Sequence, residues 1–200
     1  MRKALKVLGC TLALGLITTT SVFANTDPTD TSLVEVEVVG GAYNLEISHA
    51  IPFEKVEIRR ETMTYDTGFD GTFTIEDLRG VDDGWALTVS AGPLYSLDDE
   101  SHTFDNLLAI KPVQTITRID GSIGTDMGLP ERAFTSGTRT LNEEAITLLK
   151  SNGHGLGVFE LGFAEDALSL TVGPRLKAGT YATTLNWSLQ TVPQEVQLGD

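Results

Sequence analysis

Beyond residue 33, apolar and polar positions alternate with a period of two along almost the whole chain. "LVEVEVV" at 33–39 sets Val34, Val36 and Val38 against Glu35 and Glu37. The same alternation runs through "YNLEIS", "EKVEIRR", "GTFTIED", "GWALTVSAG", "LLAIK", "QTITRI", "GVFELGF", "ALSLTVG" and "GTYATTLNWSLQTV", with Gly, Asp, Asn and Pro clusters between the runs. Successive side chains of a strand point to opposite faces, so each run predicts a short, half-buried strand bounded by turns. About nine or ten such strands predict an all-β domain, an Ig-like antiparallel β-sandwich.

One stretch departs from this period. In "TLNEEAITLLKSNG", Thr140 and Glu143 have capping-box spacing, Leu141, Ala145, Leu148 and Leu149 follow helical spacing, and Gly153 supplies a stop. That pattern predicts one short helix of two or three turns over an open end of the sandwich.

The chain has two tryptophans, and both stand in the same local pattern. "GWALTVSAGP" places Trp85, Leu87, Val89 and Ala91 on one strand face. "YATTLNWSLQTVP" places Tyr181, Leu185, Trp187 and Leu189 on one face of the last strand. Each indole thus belongs to an apolar row, and such a row packs most simply into the core. The alternative is a pair of exposed indoles that stack on sugar rings.

Composition adds a destination. Arg2, Lys3 and Lys6, then "VLGCTLALGLI", then "SVFAN" form a secretory signal peptide over residues 1–24, with cleavage expected after Ala24. A polar leader at 25–32 and one domain at 33–195 follow. Cys10, the single cysteine, lies inside the apolar run and leaves with it, so neither disulfides nor thiol chemistry is expected in the exported chain. The net charge of −14 becomes −17 once the three basic residues of the signal are removed. A surface of that sign is repelled by nucleic acid and by anionic lipid, and no later segment is apolar enough to span a membrane.

Candidate chemistry is sparse. His49, His102 and His154 have no metal-ligand spacing with one another, and no serine sits in a nucleophile elbow. "NGHGLGV" lacks the register of a dinucleotide loop. The pairs Asp82 and Asp83, Asp98 to Glu100, Glu143 and Glu144, and Glu165 and Asp166 fall at predicted turns or at the helix start. "DTGFDGTFTIED" matches a calcium loop at Asp66, Asp70, Gly71 and Asp77, but Gly68 replaces the third ligand and the flanks are strand-like, which favours a β-turn with acidic edges. No catalytic residue, metal ligand or cofactor site is assigned.

The two tryptophan segments together carry a resemblance. "EDLRGVDDGWALTVSAGPL" supplies an acidic residue, an Arg-Gly and a W-x-L through Asp77, Arg79, Gly80, Trp85 and Leu87; "YATTLNWSLQTVP" supplies Tyr181, Leu185, Trp187, Leu189 and Pro193. In this order the segments resemble the proximal and distal motifs of the WxL domain, a family of exported surface proteins of Gram-positive bacteria, over roughly residues 30–193. The resemblance implies a non-enzymatic protein of the cell surface, attached non-covalently to the wall. Peptidoglycan is the implied ligand. A WxL-interacting surface protein and a sortase-anchored protein are the implied partners, with roles in adhesion or extracellular polysaccharide handling. It also makes Trp85, Leu87, Tyr181, Leu185, Trp187 and Leu189 the candidate binding residues, with a place in the structural core as the competing role. Because the wall is rich in anionic polymers, net charge does not draw this chain there, so direct and partner-mediated attachment both stay open.

Overall fold

The structure is a computed structural model that describes residues 36–81, 83–99, 101–121, 128–152 and 155–192. The expected signal peptide and leader, with Cys10, lie outside the described residues, as do His154 and Pro193.

The strands among the described residues are, in chain order, β1 Tyr43–Glu46, β2 Met63–Thr67, β3 Phe73–Asp77, β4 Gly84–Ala91, β5 Leu94–Ser96, β6 Thr103–Phe104, β7 Leu108–Ile110 and β8 Thr115–Arg118. They continue with β9 Glu131–Arg132, β10 Arg139–Thr140, β11 Ile146–Ser151, β12 Gly157–Gly162, β13 Leu168–Val172, β14 Tyr181–Ala182 and β15 Leu185–Val192. They form sheets of order β1-β3-β12-β8, β15-β4-β11-β9 and β10-β7-β13-β2, with a small fourth sheet β14-β5-β6. Every named ladder is antiparallel. The all-β sandwich expected from the alternation is therefore observed.

The first two sheets face each other through alternate residues. β3 turns Phe73, Ile75 and Asp77 inward and β12 turns Phe159 and Leu161 inward. Opposite them stand Trp85, Leu87 and Val89 of β4 and Leu149 of β11, all fully buried in one continuous cluster. The layers touch through rings, with Trp85 and Phe159 centroids 6.1 Å apart and Phe73 and Trp187 centroids 4.8 Å apart. Tilted and edge-on contacts of this kind add to the apolar burial itself.

The expected helix is absent. Residues 146–151 are instead β11, held between β4 and β9. Its register against β4 shifts by one residue between Thr147 and Leu149, so Leu148 is the extra residue of a β-bulge. The bulge lets Leu148 and Leu149 both be buried, which breaks the period of two and imitates helical spacing. Ahead of it, the Asn142 side chain accepts the Glu144 N–H at 2.8 Å, forming a local turn in place of a capping box.

Three further expectations are corrected. Residues 36–39 of "LVEVEVV" and all of "EKVEIRR" form no strand; Val38 and Val39 are exposed, and only Val56 of the second run packs on the core. Tyr181 is not on the last strand. The chain breaks at Thr183 and Thr184, and Tyr181 pairs with Ser96 in the small sheet. The break lies opposite Gly92-Pro93, where three residues between Ala91 and Tyr95 face two between Ala182 and Leu185. A proline has no N–H to donate, so the β4 ladder cannot run through it. Thr183 bridges the gap by donating from Oγ1 to the Gly92 carbonyl at 2.8 Å.

Arg132 of edge strand β9 donates to the Val113 and Gln114 carbonyls, both at 2.7 Å, just ahead of edge strand β8. It fastens one side of the sandwich. Arg132→Met leaves those carbonyls without their charged donor, and a urea midpoint should register a loss of about 1.5–3 kcal/mol.

Candidate functional site

β4 and β15 are neighbours, so the two W-x-L segments form one ladder. Trp187 lies opposite Val89, Leu189 opposite Leu87, and Trp85 opposite Thr191. Directly opposed residues share a face, which places both indoles on the inward face of one sheet, four positions apart along the strands. The two are not equivalent. Trp85 is wholly buried, whereas Trp187 is partly buried at the rim, in an aromatic group with Phe69, Phe73 and Phe163 at centroid distances of 4.8–6.0 Å. Leu87 is buried and Leu185 and Leu189 are partly buried against the same core. Tyr181 stands apart, its hydroxyl donating to the Lys177 carbonyl at 2.7 Å and its ring edge-on to Phe104.

Trp85 is held by two hydrogen bonds. Its indole N–H donates to the Gly155 carbonyl at 3.0 Å, and its backbone N–H donates to Ser151 Oγ at 2.9 Å. A side chain on Gly155 would meet the indole nitrogen at 2.4 Å and Ser151 Oγ at 2.2 Å. Gly155, within the run that superficially suggests a nucleotide loop, is thus part of the floor against which the indole lies.

The acidic and Arg-Gly residues ahead of the first tryptophan form a clamp. Asp77 ends the inward row of β3 with its side chain essentially inaccessible, and Arg79 meets it with two bonds, Nε to Oδ1 and Nη2 to Oδ2, each 2.9 Å. The third arm of the guanidinium, Nη1, donates to Thr191 Oγ1 of β15 at 3.0 Å, and its face lies 3.9 Å over the Tyr43 ring of β1. Gly80 follows at φ +70°, a conformation that costs a side-chain-bearing residue but not glycine. One arginine therefore joins the first motif, the second motif and the first strand. Its hydrogen bonds to Asp77 raise the Arg79 pKa further, and burial, the largest influence, raises the Tyr43 phenol above its ordinary value of 10.0. The sequence reading named Asp77 and Arg79 as motif residues without a task; Tyr43 and Thr191 were missed, since nothing in the local pattern connects positions so far apart.

Elsewhere, Asp66 accepts from Ser169 Oγ at 2.7 Å, and Asp66 and Asp77 lie on strands of different sheets. His102 Nδ1 is 2.8 Å from Asp99, whose carboxyl is held below its usual range by hydrogen bonds from Ser101. Lys111 lowers the Asp166 carboxyl in the same direction. A shallow cleft of about 420 Å³ lies beyond the end of β4, lined in part by Pro93, Asp105, Asn106, Glu143 and Glu144. Among the described residues no group of three or more His, Cys, Asp or Glu is arranged to hold a metal, and no helix is long and apolar enough to cross a membrane.

A family model described as WxL domain, surface cell wall-binding, matches residues 24–193. The chain belongs to the WxL domain family. No curated protein and no solved structure matches it. Membership makes this a cell-wall-binding surface protein and fits the joined motifs, whose described residues run through β3, the turn after it, β4, β14 and β15.

Two outcomes follow. Arg79→Met strands a buried carboxylate and should cost about 3–5 kcal/mol in chemical denaturation, with Asp77→Asn in the same background recovering part of it. Tyr43, with its folded pKa raised, favours folding fully below pH 10 and progressively less as pH rises toward the folded value. Stability should therefore fall above about pH 10, and Tyr43→Phe should flatten that fall.

Proposed function

We propose that this WxL domain holds the chain at the wall by direct, non-covalent contact with peptidoglycan, and that it works by binding without catalysis. The W-x-L residues serve as the lock of the fold, and other surfaces make the contact. The observation that carries the second statement is the state of Trp85, which is fully buried and has its indole N–H already donated to Gly155. A ring in that position has no face to offer a sugar. Trp187 contributes in the same way from the rim of the core, against three phenylalanines.

A second reading has one observation in its favour. At a net charge of −14 the chain is repelled by the anionic polymers of a Gram-positive wall. A WxL-interacting surface protein, itself joined to a sortase-anchored one, would then carry the domain, and adhesion or polysaccharide handling would belong to that assembly.

Purified protein incubated with peptidoglycan freed of teichoic acid and protein should sediment with it; complete failure to sediment overturns direct binding. Trp187→Ala should cost about 3 kcal/mol in stability and, below its melting temperature, sediment like wild type. Loss of sedimentation from a mutant with an unchanged melting curve would make Trp187 a contact residue.

A further inference from the structure

The Arg79 clamp is surrounded by aliphatic side chains that face solvent. Leu78 and Val81 flank the Arg79-Gly80 turn at 42% and 43% exposure, and Val192, opposite Gly84 at the end of β15, is 39% exposed. The chain entering β1 reaches the same place. Gly41 donates to the Leu78 carbonyl at 2.7 Å, Leu78 donates back to Ala42 at 2.8 Å, and Gly40 lies so close to Arg79 that a side chain there would meet its carbonyl at 2.5 Å. Immediately before these glycines, Val38 and Val39 are 86% and 77% exposed. Five aliphatic residues from three separate parts of the chain thus gather at one end of the domain, and two of them belong to a run whose described residues, 36–39, form no strand.

We infer that this end is a docking surface for a protein partner that presents an apolar strand flanked by lysine or arginine, with the Val38–Val39 run pairing along it by strand addition. The inference assigns a surface to the partner-mediated reading and rests on it. Three features select that occupant. Exposed β-branched residues outside any ladder, like Val38 and Val39, lose water and gain a ladder when a strand is laid beside them, the usual basis of strand-addition binding. Glycan hydroxyls, by contrast, would be desolvated against valine and leucine with no ring to stack on, since the Tyr43 ring is already covered by Arg79. The local charge is negative, because Asp77 matches Arg79 while Asp83 lies within electrostatic range of it. A second copy of this chain would bring two Asp83 carboxylates together, whereas a basic partner is attracted.

The test compares the full exported chain with Val38→Ser/Val39→Ser/Leu78→Ser/Val81→Ser, and with Leu97→Ser/Ile119→Ser as a control of similar exposure elsewhere. Each is titrated onto walls of the producing bacterium with surface proteins in place and onto the same walls after protease treatment and teichoic-acid extraction. The expected result is at least a tenfold loss of affinity for protein-bearing walls in the fourfold variant alone, with bare peptidoglycan and urea midpoints unchanged. Equal binding of the fourfold variant and wild type to protein-bearing walls overturns the surface. A loss confined to bare peptidoglycan overturns it in favour of a glycan contact, and a self-association in sedimentation that the variant abolishes overturns it in favour of a second copy. If protease treatment leaves wild-type binding undiminished, the partner-mediated reading fails with it, while direct attachment stands.

Discussion

The N–H of the Trp85 indole, placed 3.0 Å from the Gly155 carbonyl, is the contact around which the core is arranged. A buried donor of this kind costs free energy unless an acceptor is fixed in the right place. Fixing it requires a segment without side chains, since a Cβ at Gly155 would overlap the indole and Ser151. It also requires β11 to bring Ser151 opposite Trp85, and β12 to follow at once so that Phe159 can close the ring from the other layer. Few substitutions can satisfy all of these at once, which is a physical reason for a tryptophan at the centre of this fold.

Around that centre, the sandwich is fastened at its sides by arginines. Arg79 spans β3, β15 and β1 on one side; Arg132 ties β9 to the approach to β8 on the other. Arg118, in β8, donates 2.7 Å to the Leu156 carbonyl and lies 4.6 Å over Phe159. A chain with twice as many acidic as basic residues commits these cations to carbonyls, a buried carboxylate and ring faces. The planar guanidinium is suited to this, because it can bond at its edge while its face covers an aromatic ring.

Much of the sheet structure was legible because alternation reports which face of a strand is buried. β3 and β12 read correctly from their apolar rows, while β4 and β13 read correctly as strands but are buried on both faces rather than one. The misreadings have a common cause in irregular register. The bulge at Leu148 turned a strand into an apparent helix, and the slip at Gly92-Pro93 detached Tyr181 from the row to which the pattern assigned it. A period records only the residues of one strand, whereas a bulge is a relation between two. The same limit hid Thr191 and Tyr43, polar or half-buried positions whose meaning comes from an arginine in a different segment. Conversely, Val38 and Val39 show that alternation can mark a run with no sheet beside it.

The pairing of β4 with β15 sets an order in time. Thr88 and Ser188 face each other across a separation of 100 residues, and the same ladder supplies one edge of the β15-β4-β11-β9 sheet. Until the later strand has been synthesised, the apolar row of Trp85, Leu87 and Val89 has one flank without a neighbour. Local contacts cannot substitute, because a sheet built from distant pairings forms only after its loop entropy has been overcome. The nascent chain therefore carries an unfinished layer from the moment β4 is made until β15 follows, 100 residues later at Thr88 and Ser188.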